Sequence, residues 1–261
     1  MKLIESRDNA MYKRVLKLVR DKREQVDTAQ YIWLEGIHLC QMWLEHKGLP
    51  ELAVFEHERV GDELVELLRY IPDRLCVHFS AQLMSTLRQV VGKGQGVGFV
   101  VRVEPSLAPV TIQANALLLD QVQDPGNVGT LLRTAAACGI QAVYLSKGCA
   151  SVWSQKVLRS AQGAHFSLRL YEQLKVEEVI QACQVPLLVT SLAPDAQDLY
   201  ASPLPQQALW VVGNEGQGVS EELLQAAALR LLIPQAAGVE SLNVSIAAAL
   251  CLYEQYRQHR D

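Results

Sequence analysis

Short apolar runs alternate with segments of helical periodicity over the first hundred residues. Consecutive apolar residues between turn residues are typical of buried strands, and apolar positions three or four residues apart are typical of helices that cover a sheet. The alternation predicts a small α/β domain over residues 1–103. Its predicted strands are 31–34, 52–55, 75–79 and 97–103, and its predicted helices are 9–24, 37–46, 62–69 and 81–87.

The alternation stops at residues 104–112, where Pro105 and Pro109 interrupt any periodicity. Such a stretch is typical of a linker between domains. The pattern resumes over 113–261, where strands separated by helices predict a mostly parallel sheet covered on both faces. The predicted strands are 116–120, 142–146, 165–170, 187–191, 208–212 and 229–233, with one helix ending at Ala137 and others at 154–162, 176–182 and 243–257.

Composition narrows the class of protein. A chain of 261 residues, 49% of them hydrophobic, can bury a substantial core. The N-terminus has no apolar signal core, and the apolar run at 246–252 is too short to cross a bilayer, so we expect a cytoplasmic protein. The six cysteines are scattered without a Cys-x-x-Cys pair, and we therefore expect reduced thiols and no metal site.

The net charge of −4 does not by itself indicate nucleic-acid binding, but it hides a basic N-terminal segment. Residues 1–23 contain eight Lys or Arg against three acidic residues, a local net charge of +5. Lys13, Arg14 and Lys17 lie on the polar side of the first predicted helix, where they can attract phosphates without sequence specificity. An ordinary solvated helix face explains the same pattern, and composition leaves both interpretations open.

A loop between a strand and a helix carries the first candidate site, Asn127-x-Gly129-x-x-x-Arg133. Glycines at such a turn let the backbone approach a ligand, and the start of a helix favours anionic groups. The spacing is neither Gly-x-Gly-x-x-Gly nor that of a phosphate-binding P-loop, which argues against a dinucleotide or nucleoside triphosphate site. Taken alone, Arg133 is better explained as an ordinary arginine on the surface of a helix.

Two later loops follow the last two predicted strands. Gly213 to Gly218 contains three glycines around Glu215, a carboxylate that can bind a hydroxyl, an amine or a cation. Ser241-Leu242-Asn243 opens the last predicted helix, where serine and asparagine are also common N-caps. Each loop alone has an ordinary explanation as a turn or a cap. Because loops that leave neighbouring parallel strands meet at one edge of the sheet, however, together they predict a site.

The three loops together resemble the motifs of the SpoU (TrmH) family of RNA ribose 2′-O-methyltransferases, in the SPOUT superfamily. The resemblance covers about 115–257, with Ile233-Pro234 and Glu240 to Ser245 completing the third motif and Lys156 to Phe166 similar to the family's middle segment. Residues 1–103, with Glu35-Gly36 and Gln95-Gly96-Val97, look like the substrate-binding domain that many members carry.

The resemblance implies a fold, a cofactor and an assembly. It implies a C-terminal sheet threaded as a trefoil knot, S-adenosylmethionine as methyl donor, and a homodimer built partly through the final helix. The donor is expected in a pocket of backbone from the three loops. The residues expected around it are Leu192, Gly213, Asn214, Gly218, Ile233 and Leu242.

The resemblance also implies roles for side chains in methyl transfer. Arg133 is expected to activate the ribose 2′-hydroxyl, either as a base or, more easily for a charged guanidinium, by stabilising the developing alkoxide. Asn243 and Ser241 would position the ribose. Asn127 would hold Arg133 or its loop, and Glu215 would contact Arg133 or the target nucleotide.

The RNA contacts and the substrate are less narrowly implied. Arg159 and Ser160 are candidate phosphate contacts, together with the basic helix. The N-terminal domain favours ribosomal RNA as substrate, transfer RNA being the alternative. A protein of the same scaffold that binds RNA in ribosome assembly without catalysis also stays open, although the polar residues of all three motifs are present.

Overall fold

The computed structural model describes residues 2–20, 24–26, 29–59, 61–87, 95–106, 111–236, 238 and 241–260. The chain divides into two compact units, Met1–Pro105 and Ser106–Asp261. Residues 107–110 of the predicted linker lie outside the described residues. Among the helices of the described ranges, none combines the length and the apolar character needed to cross a membrane.

The first unit is an α/β domain, as the alternation predicts. Its strands are β1 (Lys2–Ile4), β2 (Glu24–Val26), β3 (Ala29–Glu35), β4 (Leu52–Glu56), β5 (Cys76–Phe79) and β6 (Val97–Val103), and its helices are α1 (Ala10–Val19), α2 (Ile37–His46), α3 (Asp62–Arg69) and α4 (Ala81–Leu87). The sheet order is β1-β5-β4-β6-β3-β2. Strands β1, β5 and β4 are parallel, whereas β6, β3 and β2 pair antiparallel.

Helix α1 is shorter than predicted. The Asn9 side chain caps it by accepting hydrogen bonds from the backbone N–H groups of Met11 (2.9 Å) and Tyr12 (3.5 Å). The helix ends at Val19, and Glu24 already belongs to β2, so the prediction of a helix to residue 24 is wrong at its end. Residues 21–23 of that prediction lie outside the described residues. The basic residues continue beyond Val19, the last buried apolar residue of the helix, and this made the helix look longer in the sequence. The end of a helix is set by where its apolar side chains stop packing and not by its charged residues.

The second unit contains a seven-stranded, entirely parallel sheet, which confirms the predicted mostly parallel arrangement. Its strands are β7 (Ala116–Leu119), β8 (Ala142–Ser146), β9 (Arg169–Leu174), β10 (Leu187–Thr190), β11 (Gln197–Asp198), β12 (Leu209–Val212) and β13 (Leu229–Leu232). Its helices are α5 (Pro125–Ala137), α6 (Gln155–Ala161), α7 (Val176–Ala182), α8 (Glu221–Ala226) and α9 (Val244–His259). The sheet order is β11-β13-β10-β12-β7-β8-β9.

Both faces of this sheet are covered by helices. Leu117 and Leu119 of β7 face a core shared with α5, α6 and α9, whereas Ala116 and Leu118 face a second core shared with α7 and α8. The alternation of side chains along a strand explains why β7 is buried on both faces and reads as a continuous apolar run.

The third predicted strand of this unit, 165–170, is wrong over its first half. Ala164–Phe166 forms a 3-10 turn, and β9 begins only at Arg169. Gln162 and Gly163 end α6 in left-handed backbone conformations, and the buried His165 ring contacts the Val152 carbonyl at 2.6 Å. The apolar residues at this position therefore belong to a buried turn and not to a strand. Strand β11 was not predicted because its two residues are polar and exposed.

A buried glutamine helps to fix helix α9 to the sheet. The indole Nε1 of Trp210 in β12 donates to Gln255 Oε1 at 2.8 Å. Gln255 Nε2 in turn donates to Asn115 Oδ1 (3.1 Å) and to the Pro205 carbonyl (2.8 Å). Gln255 is buried, so these bonds satisfy polar groups that water does not reach. They hold the helix whose first turn carries Asn243.

We expect Gln255→Leu to destabilise the second unit by about 1–3 kcal/mol, because it leaves the buried Trp210 indole N–H without an acceptor. Chemical denaturation compared with the parent protein measures this loss. Gln225→Leu, at an exposed position of α8, is the matched control and should change stability by less than about 0.5 kcal/mol. Equal denaturation midpoints for Gln255→Leu and the control would contradict the assignment.

Candidate active site

A cavity of about 600 Å³ lies where the loops after β10, β12 and β13 meet the start of α9. Carboxyl ends of parallel strands share one edge of the sheet, which brings together segments that are distant in sequence. Glu215, Ser241 and Asn243 line the cavity, whereas Arg133 and Asn127 are not among its lining residues. The six residues predicted around the methyl donor all line it: Leu192, Gly213, Asn214, Gly218, Ile233 and Leu242.

The loop after β12 is closed by its own hydrogen bonds. The backbone N–H and carbonyl groups of Asn214 bond those of Gly218, both at 2.9 Å. The Asn214 side chain accepts from the N–H groups of Gly216 (2.9 Å) and Gln217 (3.0 Å). A β-carbon on Gly213 would overlap the Gly218 carbonyl, and Gly218 has a φ of +75°. The loop therefore requires glycine at both ends.

Glu215 ties this loop to the loop after β7. Its carboxylate accepts hydrogen bonds from Asn127 Nδ2 (3.0 Å) and from the backbone N–H groups of Gln123 (3.4 Å) and Asp124 (3.3 Å). Partial burial raises the pKa of Glu215, but these hydrogen bonds outweigh it and hold the pKa below the ordinary value of a glutamate. Glu215 is predicted to contact Arg133 or the target nucleotide. Among the described residues its side-chain partner is Asn127 and not Arg133.

Asn127 also reaches the third loop. Its Oδ1 accepts a hydrogen bond from Asn243 Nδ2 at 3.0 Å. Asn243 caps α9, since its Oδ1 accepts from the N–H (2.9 Å) and the hydroxyl (2.6 Å) of Ser245. Hydrogen bonds from Glu215 to Asn127 and from Asn127 to Asn243 thus connect all three predicted motifs.

Arg133 is presented on the solvent side of α5. Gly126, Thr130 and Arg133 are exposed at spacings of four and three residues, which places them on one stripe of the helix. Within the described part of the chain, the Arg133 guanidinium has no hydrogen bond or ion pair. Its charge is therefore available to a ligand that approaches this stripe.

The predicted RNA contacts are divided between the two units. In the second unit, the Ser160 hydroxyl lies within 3.2 Å of the carbonyls of Pro125, Lys156 and Val157, so its one hydrogen is used inside the protein. Arg159 is half-buried on α6 and also interacts within the protein. Ser160 thus connects α6 to the start of α5, and a role of either residue toward phosphate stays a prediction.

The other predicted RNA contacts lie on α1 of the first unit. Lys13 pairs with Asp8 at 2.9 Å, and the Arg14 guanidinium lies 4.8 Å from the centre of the Tyr31 ring. Lys17 is exposed. The basic helix therefore keeps its charged side outward, and its role toward RNA stays a prediction.

Two residues of the site were missed in the sequence. Asp120 is buried at the end of β7, where it accepts from the Ser146 hydroxyl (3.1 Å) and the Ser220 N–H (2.8 Å) and so joins three loops. A carboxylate directly after an apolar strand was the available signal. Gln235 lines the cavity, and nothing in its sequence context indicates this.

Among the described side chains, no group of three His, Cys, Asp or Glu could hold a metal ion.

Comparison with known proteins agrees with the geometry. The profile of the SpoU rRNA Methylase family matches residues 114–253. The 23S rRNA (guanosine(2553)-2′-O)-methyltransferase RlmP of Bacillus subtilis (strain 168) is 32% identical, over 97% of this chain and 98% of that protein. The 23S rRNA (guanosine-2′-O-)-methyltransferase RlmB of Nitrosomonas europaea is 35% identical, over 60% of this chain and 61% of that protein.

Solved structures show the same fold across both units. A crystal structure of an RNA 2′-O ribose methyltransferase superposes with a TM-score of 0.77 and 26% identity, over 98% of each chain. The SpoU methyltransferase AviRb of Streptomyces viridochromogenes, solved in complex with the cofactor AdoMet, has a TM-score of 0.83 at 24% identity, over 96% of this chain and 98% of its own.

We expect Glu215→Gln to lower the melting temperature at neutral pH, because the ionised carboxylate accepts three N–H groups that an amide cannot all satisfy. The pKa of Glu215 is lowered, so its stabilising contribution is complete above the ordinary value of 4.5 and is lost as the pH falls through the lowered pKa. The difference in melting temperature between parent and variant should therefore shrink in acid. Glu222→Gln, exposed on α8, controls for loss of one charge, and a pH-independent difference would contradict the prediction.

Proposed function

The chain belongs to the SpoU rRNA Methylase family, and we propose that it transfers a methyl group from S-adenosylmethionine to a ribose 2′-hydroxyl of ribosomal RNA. The observation that carries this proposal is the side-chain connection from Glu215 through Asn127 to Asn243, beside a cavity of about 600 Å³. It joins one polar residue from each of the three motifs.

The choice of ribosomal RNA rests on the relatives that align over both units. The RlmP relative covers 97% of this chain, including the first unit, and its name specifies 23S rRNA. The names of RlmP and RlmB also specify guanosine, which makes guanosine the base we expect at the methylated nucleotide. The exposed basic side of α1, with Lys13, Arg14 and Lys17, would supply phosphate contacts that depend on charge and not on sequence.

The cavity fits the donor. Its volume lies within the range of about 300–1,000 Å³ typical of small-molecule sites. The backbone at Gly213 leaves no room for a side chain, and Leu231, Ile233 and Leu242 supply apolar walls. Leu192, Gly213, Asn214, Gly218, Ile233 and Leu242 would hold the donor, whose sulfonium methyl group supplies the electrophile.

Residues of the cavity and of α5 act on the ribose. Asn243 and Ser241 position it so that the 2′-oxygen aligns with the methyl group, because alignment of the reacting atoms sets the rate of such a displacement. The Arg133 guanidinium stabilises the negative charge that develops on this oxygen, since guanidinium groups stay charged in proteins. A phosphate of the RNA or a water molecule takes the proton.

We propose a homodimer built partly through α9. Ile246, Tyr253 and Tyr256 are each about half exposed, at 52%, 50% and 49%, and their spacing places them on one side of the helix. Large apolar side chains grouped on one face are typical of a protein interface. We propose that the protein acts in the cytoplasm, by analogy with the bacterial relatives RlmP and RlmB.

The trefoil knot is part of the same proposal. Strands β12 and β13 follow β10 in sequence but flank it on its two sides in the sheet. The chain therefore returns across β10 twice before α9 begins. This order supports a threaded path for the segment that builds the cavity.

We expect Arg133→Ala to reduce the rate of methyl transfer by about 10²–10³-fold, the usual effect of removing one donor to a developing oxyanion. Asn243→Ser keeps a capping oxygen for α9 but removes the amide that reaches Asn127, and we expect a loss on the order of 100-fold from misplacement of the ribose. Transfer of a tritiated methyl group to ribosomal RNA, with mapping of the 2′-O-methylated nucleotide, measures both rates.

The controls separate chemistry from binding and folding. Calorimetry should show donor binding unchanged in Arg133→Ala, because Arg133 does not line the cavity. Arg169→Ala, an exposed arginine at the start of β9, should retain the parent rate. Parent-like turnover in Arg133→Ala would refute its assignment, and failure of the parent protein to bind S-adenosylmethionine would refute the proposed function and favour RNA binding without catalysis.

We expect Tyr253→Glu to convert the proposed dimer to a monomer, because it introduces a charge on the apolar stripe of α9. Light scattering coupled to size-exclusion chromatography measures the mass. Tyr70→Glu is the matched control, at a tyrosine of the first unit that is 64% exposed and lies outside the stripe. A monomeric parent protein would show that the stripe has another role.

A further inference from the structure

Among the described residues that line the cavity, one polar side-chain atom is both buried and without a partner. Gln235 Oε1 is inaccessible to solvent and, among the described residues, accepts no hydrogen bond. Gln235 follows β13 and lines the cavity two residues beyond Ile233. A buried acceptor without a donor is unfavourable and is retained in proteins where a ligand or another group satisfies it.

Other polar side chains of the cavity are already used by the protein. The Asn214 side chain bonds its own loop and Gln121, and the Glu215 carboxylate accepts from Asn127 and two backbone amides. The Asn243 amide bonds Asn127 and Ser245. These groups hold the loops in place, whereas the buried Gln235 Oε1 is left to recognise what enters.

We infer that Gln235 reads the adenine edge of the methyl donor: its Oε1 accepts from the 6-amino group and its Nε2 donates to a neighbouring ring nitrogen. A carboxamide that presents an acceptor beside a donor is the group that pairs with this edge of adenine in protein–DNA contacts. The walls agree with a flat aromatic ring, since Leu231 and Ile233 precede Gln235 and both are buried. The inference rests on the proposed function, because it assigns a residue to that cofactor.

The test compares two non-reactive ligands by calorimetry on the full-length protein. One is S-adenosylhomocysteine, and the other is its analogue with hydrogen in place of the adenine 6-amino group. We expect the parent protein to bind the first roughly 5- to 150-fold more tightly, the discrimination of a bidentate amide pair. Gln235→Met has similar length but no hydrogen-bonding group, and its ratio should fall to nearly one. Gln217→Met, an exposed glutamine of the same cavity, should keep the parent ratio.

A second measurement excludes loss of folding as the cause. Gln235→Met removes an unsatisfied buried acceptor, so its melting temperature without ligand should be equal to or higher than that of the parent, while its affinity for S-adenosylhomocysteine falls. A variant that binds both ligands with the parent ratio would overturn the inference and leave the proposed function intact. The inference would also fail if Gln235→Met changed discrimination only against an analogue that lacks the α-amino group. No binding of either ligand to the parent protein would overturn both.

Discussion

The site depends on the two ends of one amide. Asn127 donates through Nδ2 to Glu215 and accepts through Oδ1 from Asn243, each at 3.0 Å. Because an amide has a donor and an acceptor in fixed relative positions, Asn127 can join a carboxylate on one loop to an amide on another, which neither aspartate nor leucine could do. The three loops after β7, β12 and β13 come from distant parts of the chain and meet at this residue.

The same bonds determine the charge of the site. Glu215 accepts three N–H groups, and this fixes it as an anion without using a cation. Within the described part of the chain, Glu215 forms no ion pair with Arg133. If Glu215 instead formed an ion pair with Arg133, the positive charge of the guanidinium would be neutralised within the protein. An uncompensated guanidinium is what a developing alkoxide or an RNA phosphate requires.

Sequence patterns predicted the strands of the second unit well because most are buried on both faces and so form continuous apolar runs. They failed where tertiary contacts decide local structure: the buried His165 ring belongs to a turn fixed by left-handed Gln162 and Gly163, not to a strand. The motif loops were recognisable because their glycines and polar residues follow strand ends. Asp120 was missed although its carboxylate directly follows an apolar strand, and Gln235 carried no sequence signal; both roles come from burial beside groups that are remote in sequence.

Helix α9 connects the proposed interface to the site mechanically. Asn243 caps its first turn beside the cavity, and Gln255 fixes it to Trp210 twelve residues later, about 18 Å along the axis at 1.5 Å per residue. The exposed stripe of Ile246, Tyr253 and Tyr256 lies over the same length. Because a capped and anchored helix moves as a rigid unit, a partner that shifts α9 at its stripe must also move Asn243. The bond of Asn243 to Asn127, in the first turn of α5, would then pass that shift to the helix that carries Arg133.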